Sequence, residues 1–520
     1  MTDYQFNYCC CPSVPDYEQP EASLELSRRS FLAMGGVFMG GLTYGAFQDA
    51  LQSALDTEPV AMPFPRKPLI VKPVLVYDRP QYREKTLWRG WGEIHTDEAA
   101  NEEVVRIQSE LATLKQQADY PVEFLEISAV THMDQMRDHP DMKQCDTILL
   151  YGAGSGIGGI RNFEKEVIVF QRWHSGPAYL QCMLVSPVLL RQNSDSAVGR
   201  GIYHNDIVTD KTSELDWRFR ALCGLKNTKN AKIATIGGAG AWGQNREVVL
   251  ERIKNVWSFE YHNVSHDELR QLFQEAQADE TVMTRAKNRA DAYLNIPGTK
   301  LETAMEFVVR SFVLDDLLRL LMKNAGANLI TIQACGPAII ASTDTTPCLA
   351  LSTLNDDGYM AFCESDFVAI PSGVLLGNIT GKPVFLGNPL YPLDGVITVS
   401  HCTAPRKMDG KNFDPARIMT HYESDYGVAT HVEAPIGTKT THIVPAFNVQ
   451  RWLGLRGTIA NIPFRQICRT QFDIQYEVSD KLLAERMPGF HWLTCYGDYR
   501  KEVGYALRRV GIQWDNLDDA

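Results

Sequence analysis

The sequence has no two cysteines in C-x-x-C spacing, no internal repeat and no low-complexity tract. Its twelve cysteines are scattered, apart from Cys9, Cys10 and Cys11. Neither a disulfide framework nor a zinc cluster is implied, and a chain of 520 residues needs no disulfide staples. Most of the cysteines read as small core hydrophobes. Positive charge is also scarce. Against 63 Asp and Glu stand 51 Lys and Arg, for a net charge of −12. That balance argues against nucleic acid, whose phosphates reward a basic surface, and against an anionic membrane surface. After the N-terminal region no stretch is long and apolar enough to span a bilayer.

The N-terminal region has its own pattern. Ser27-Arg28-Arg29-Ser30-Phe31-Leu32 leads into a weakly hydrophobic, glycine-rich run, Ala33 to Leu42. A twin arginine before Phe-Leu and such a run reads as a twin-arginine export signal over residues 1–47. The expectation is an exported, periplasmic or extracytoplasmic protein, whose signal is either cleaved or kept as a membrane anchor. Residues 48–68 read as a linker, since Pro63, Pro65 and Pro68 lie too close together for regular structure.

From Leu69 onward, apolar β-rich runs alternate with helical periodicity, the pattern of α/β units with parallel sheets. Residues 69–228 are expected to form one such unit, with strands over 69–77, 122–127 and 147–151 and a helix over 97–118. Residues 229–328 are expected to form a second, with strands over 232–236 and 256–261. Its helices are expected over 245–256, 266–278, 280–294 and 301–324. The third unit, 329–520, opens with a strand over 329–333 and a helix over 372–379. Beyond His421 it becomes strand and turn (427–433, 438–447, 453–461 and 470–476), followed by a helix over 501–510. The fold predicted is two parallel-sheet α/β domains followed by a mixed α/β domain that ends in an antiparallel β-barrel.

Three segments carry residues suited to a divalent cation. Cys363-Glu364-Ser365-Asp366 sets two carboxylates among apolar neighbours just after a strand, where desolvation is unfavourable unless a cation or donors meet them. His401 ends the apolar strand Val396–Ser400, a place where loops present ligand groups. His491 stands between Phe490 and Trp492 near the C-terminus. Oxygen and imidazole donors without a thiolate cluster favour Mn²⁺-like ions over structural zinc.

The order of these segments resembles the L-fucose/L-arabinose isomerase superfamily, in particular its fucose-isomerase-like branch. The similarity runs from about Gln333 to Trp514. It is carried by Cys363-Glu364-Ser365-Asp366, by Leu375–Asn388, by Ser400-His401-Cys402, by Ala434-Pro435-Ile436-Gly437-Thr438, and by His491 with Tyr496-Gly497-Asp498. The resemblance implies a metal-dependent aldose–ketose isomerase that moves a proton through an enediol. Mn²⁺ would be held by Glu364, Asp366, His401 and His491, with Glu364 and Asp366 catalytic. It further implies a sugar substrate met by Gln333, Asn388 and Trp492, and a homo-oligomer, trimer or hexamer. The sequence departs from the family at one point. Where a first carboxylate is expected it reads Ile332-Gln333-Ala334-Cys335-Gly336, with no acid until Asp344.

A rival reading begins at Gly238-Ala239-Gly240-Ala241-Trp242-Gly243, a G-x-G-x-x-G after a strand, with Glu260 ending the next strand. That is a dinucleotide fingerprint and would make the protein an NAD-dependent oxidoreductase. A second glycine-rich turn, Gly152 to Gly158, also follows a strand, as tight βα turns in any α/β unit do. A third reading is a sugar-binding descendant of the isomerase fold that has lost catalysis.

Overall fold

A computed structural model describes residues 61–519, except 159, 161, 162 and 184–201. The twin-arginine segment and most of the expected linker lie outside the described residues. Among those described, no helix is long and apolar enough to cross a membrane.

The first sheet is built from β1 (Leu69–Val76), β2 (Val122–Phe124), β3 (Ser128–Val130), β4 (Thr147–Gly152), β5 (Glu166–Gln171) and β6 (Ile207–Thr209). Its order is β2-β1-β4-β5-β6, all parallel, with β3 extending β2's path along β1. The strand expected over 122–127 is therefore two short pieces. The helix Asp97–Gln117 packs on this sheet. Thr96 caps it by accepting the Ala99 N–H, and Asp97 and Glu98 sit in its first turn, where the helix dipole favours them. Its buried stripe, Ala100, Glu103, Ile107, Leu111 and Leu114, follows helical spacing. The one charge in that stripe, Glu103, is compensated by the buried Arg172, 2.5 Å away.

The second sheet draws on both sides of position 328. Its strands are β7 (Lys232–Ile236), β8 (Glu260–Val264), β10 (Leu329–Ile332) and β11 (Met360–Cys363). The order is β11-β10-β7-β8, again parallel. Between β8 and β10 lies β9 (Thr299–Glu302), which pairs elsewhere, followed by the helix Met305–Ala325. Two expectations are corrected here. The helix from Arg246 runs on to Trp257, so the strand begins at Glu260 rather than 256. The stretch expected as helix from 301 begins as strand.

The C-terminal part forms a closed barrel. It contains β12 (Phe385–Pro389), β13 (Val396–His401), β14 (Ala416–His421), β15 (Tyr426–Val432), β16 (Lys439–Pro445), β17 (Arg451–Asn461), β18 (Thr470–Gln475), β19 (Trp492–Tyr496) and β20 (Gln513–Asn516). Six of these close antiparallel in the ring β16-β19-β12-β13-β18-β17. β20 joins β17 in parallel, while β14 and β15 pair outside the ring with β9. The barrel is filled by side chains such as Phe472, Ile474, Leu455 and Trp492. Closure leaves no unpaired strand edge in the ring.

The fully buried helix Ile370–Thr380 ties the three parts together. It packs against the helix Ser213–Thr228 and touches β11, β16 and β19. The approach is closest at Gly224, where a Cβ would stand 2.4 Å from the Ile379 side chain. The strap 61–68 crosses the same region without regular structure. It is held by Phe64 on Asn328, Arg66 on the Asn378 carbonyl and Lys67 on Asn227.

Candidate functional site

In the second sheet the C-terminal ends of β7, β10 and β11 lie side by side, the usual place for a ligand site in a parallel sheet. Here the backbone is forced into the left-handed region at three non-glycine residues, Ala334 (φ 50°), Glu364 (φ 65°) and Ser365 (φ 50°). Each such residue costs on the order of 1–3 kcal/mol and persists only where its surroundings fix it. The turn Glu364–Asp366 is fixed by the glycine-rich loop after β7. Gly240 N donates to the Ser365 carbonyl at 2.9 Å, and Phe367 N donates to the Gly240 carbonyl at 3.1 Å. Ser365 Oγ donates to the Gly238 carbonyl at 2.7 Å, and Trp242 N donates to Asp366 Oδ1 at 3.0 Å.

The loop that reads as a dinucleotide fingerprint thus gives its Gly240 and Trp242 amides to the carboxylate turn. The other glycine-rich turn is equally occupied. A Cβ at Gly154 would meet the Tyr77 backbone at 2.6 Å, and one at Gly156 the Thr131 carbonyl at 2.1 Å.

The four expected site residues converge. The barrel supplies two of them, His401 at the end of β13 and His491 just before β19. His491 Nδ1 lies 2.7 Å from Asp366 Oδ2, and its Nε2 lies 3.1 Å from Glu364 Oε2. His401 Nε2 lies 3.2 Å from Glu364 Oε1, and its Nδ1 lies 3.1 Å from Thr403 Oγ1. All four side chains are at most 5% exposed. Because Glu364 and Asp366 lie on a turn, they have separate tasks. Asp366 accepts from the amides of Trp242 and Val368 through Oδ1 and meets His491 through Oδ2. Glu364 faces both imidazoles.

The electrostatics follow from that arrangement. Burial works against a charged His491, but Glu364 and Asp366 outweigh it and push the imidazole up to about 10. Burial likewise opposes ionised Glu364, yet His491 and His401 hold it down to about 2. His491 is therefore an imidazolium between two carboxylates.

The residues fit a divalent cation on two counts. Glu364 Oε2 and His491 Nε2 are buried and face each other without an aligned hydrogen bond. Each histidine also has its Nδ1 held by an outer partner, Asp366 or Thr403, and turns its Nε2 to the shared carboxylate, as metal-binding histidines do. Among the described residues, however, no three His, Cys, Asp or Glu side chains stand ready-made around one point. Carboxylate and imidazoles here lie against one another.

The other expected contacts separate. Gln333 lies beside the turn, its side chain 3.7–3.8 Å from where a Cβ on Gly238 or Gly240 would stand. Asn388 is buried on β12 opposite Ser400, with Oδ1 lacking a partner. Trp492 is corrected: strand alternation turns it away from His491 into the barrel core, its ring 5.7 Å from His442. The aromatics that do accompany His491 are Phe490, 5.0 Å away, and Trp242, stacked on Phe490 at 4.5 Å.

Glu364 and His401 wall a cavity of about 20 Å³, room for one water molecule or ion. Its remaining wall contains Cys335, Cys348, Cys363, Cys402 and Cys468, with His421 and Glu423. Reading the cysteines as core hydrophobes holds for the buried Cys145, Cys182, Cys223 and Cys495 but missed this convergence. The available signal was adjacency, since Cys363 precedes Glu364 and Cys402 follows His401. Compared with known proteins, the chain matches no protein-family model and no curated protein sequence.

Proposed function

We propose that the protein is a metal-dependent carbohydrate isomerase that interconverts an aldose and a ketose. The observation that carries this reading is the buried contact series Asp366–His491–Glu364–His401, with its carboxylates on a strained turn at the ends of parallel strands and its imidazoles on the barrel. His401 and His491 would hold a divalent cation, Mn²⁺ by the donor set, through their Nε2 atoms, together with Glu364. When bound, the cation supplies polarisation of the sugar's carbonyl and hydroxyl oxygens. Glu364 is the site carboxylate with an oxygen that lacks an aligned partner. It takes the proton from the carbon beside the carbonyl, leaving an enediolate; the neighbouring hydroxyl proton passes to the former carbonyl oxygen, and the carboxylic acid returns its own proton to the former carbonyl carbon. The two oxygens exchange hydroxyl and carbonyl roles, so atoms balance without a redox partner. Asp366 touches no substrate and positions His491. With Gln333 in place of a second carboxylate, one base serves both carbons.

The engagement of the Gly240 and Trp242 amides favours this reading over a nicotinamide oxidoreductase. Gln333, standing where the resemblance implies a first carboxylate, favours a second reading, a sugar-binding protein without turnover. The test is proton exchange. Metal-stripped protein given Mn²⁺ and a panel of pentoses and hexoses in D₂O should place deuterium at C1 or C2, read by NMR. Glu364→Gln should abolish the exchange. Sugar binding without exchange would leave the second reading standing. Neither binding nor metal uptake would sink both.

A further inference from the structure

Behind the carboxylate cluster, four segments of the chain bring three cysteines and a histidine together. Cys348 opens the helix Cys348–Asp356, and Cys402 follows β13. Cys468 lies in the loop before β18, and His421 ends β14. With Ala429, the three cysteines form a buried cluster separate from the main cores. Their sulfurs are in hydrogen-bonding contact. Cys402 Sγ meets the thiols of Cys348 and Cys468, the His421 imidazole, and the Arg469 backbone N–H at 3.5 Å. None of the three cysteines is in a disulfide.

We propose that Cys402 is an oxidisable thiol that takes a hydroperoxide as co-reactant and closes a disulfide with Cys348 or Cys468. Two observations support it. Two candidate partner sulfurs already lie in one buried cluster with Cys402, so bond formation needs no long-range movement. The cavity has room for a molecule the size of water, and at its rim the His421 and Glu423 side chains are 14% and 23% exposed. Hydrogen peroxide is the hydroperoxide nearest that size, and bulky disulfides are excluded.

The chemistry balances as follows. The Cys402 sulfur attacks one peroxide oxygen and the O–O bond breaks, which gives a sulfenic acid and one water. The sulfur of Cys348 or Cys468 then displaces the hydroxyl, an S–S bond forms and a second water leaves. Two sulfurs lose one electron each to the peroxide, and the two thiol protons end in the two waters.

The test uses the full chain and needs neither metal nor sugar, so its outcome is independent of the isomerase reading. Reduced protein is exposed to stepwise hydrogen peroxide, denatured in acid, alkylated and mapped by peptide mass, which also separates Cys9, Cys10 and Cys11. A Cys402–Cys348 or Cys402–Cys468 peptide, reversed by dithiothreitol, is expected. In Cys402→Ser, Cys348 and Cys468 should stay alkylatable. In the Cys348→Ser/Cys468→Ser double variant, dimedone should label Cys402. If a variant fails to fold, the wild-type map decides alone. Full alkylation of Cys402 after excess peroxide, or a disulfide joining it to any other cysteine, would overturn the proposal.

Discussion

Asp366 Oδ2 and His491 Nδ1 stand 2.7 Å apart, although the parallel sheet supplies one residue and the barrel the other. The contact fixes which imidazole nitrogen faces Glu364. Asp366→Asn should keep the fold, because the amide oxygen can still accept the Trp242 and Val368 N–H groups. Metal affinity should fall on the order of 10–100-fold, the usual effect of removing an outer partner of a ligating histidine. Unchanged Mn²⁺ affinity by calorimetry would refute that positioning role.

The metal-free pair Glu364 and His491 gives a signed pH dependence. His491 is raised from 6.5 to about 10, so its stabilising contribution is full below 6.5 and is lost as pH rises through about 10. Glu364 is lowered from 4.5 to about 2, so its contribution is full above 4.5 and is lost as pH falls through about 2. The melting-temperature gap between wild type and Glu364→Gln should be widest between those unfolded values and narrow towards either extreme. A gap independent of pH would contradict the pairing.

Metal uptake should also release protons. At neutral pH a cation must displace the proton that His491 carries, so apparent affinity should rise by up to about tenfold per pH unit. An indicator dye in weak buffer reads the release during Mn²⁺ titration. Binding with no proton released would mean that His491 is not a ligand.

Gly237 sits at φ +76°, and a Cβ there would come within 2.2 Å of the His266 ring. His266 Nε2 in turn lies 3.0 Å from the Gln333 carbonyl. Gly237→Ala should cost roughly 1–3 kcal/mol for the backbone conformation alone. It should also disturb the loop that fixes the carboxylate turn. A urea midpoint equal to wild type would show that the strand end yields freely.

The expectation of export rests on Arg28 and Arg29. Replacing both with lysine should leave the protein in the cytoplasm of its producing cell, as shown by fractionation. Wild-type protein found only in the cytoplasm would reject the signal reading.

Much of this was legible because hydrophobic period and ligand chemistry are local. The strand at Leu69, the helix Glu280–Leu294 and the barrel strands β16, β17 and β18 follow from periodicity, and the four candidate site residues from segment order; β12 and β19 were not expected, and β15 lies outside the ring. What escaped depends on tertiary geometry. The strand at Thr299–Glu302 looks like the start of a helix until its pairing with β14 is seen. Trp492 adjoins His491 in sequence but points the other way. The fingerprint Gly238–Gly243 has the spacing of a phosphate loop. Only its hydrogen bonds show that Gly240 and Trp242 serve Ser365 and Asp366.

The site's carboxylates belong to the parallel sheet and its imidazoles to the barrel. A cation held between them would act as a cross-link whose strength depends on free metal concentration. At about one hundred times its dissociation constant such a ligand stabilises by roughly 2.7 kcal/mol, all of it directed at keeping the sheet and barrel docked. In calorimetry, chelator should broaden or split the unfolding transition and added metal should draw it into one. An ion proposed for the chemistry would then also decide whether the sheet and the barrel melt together.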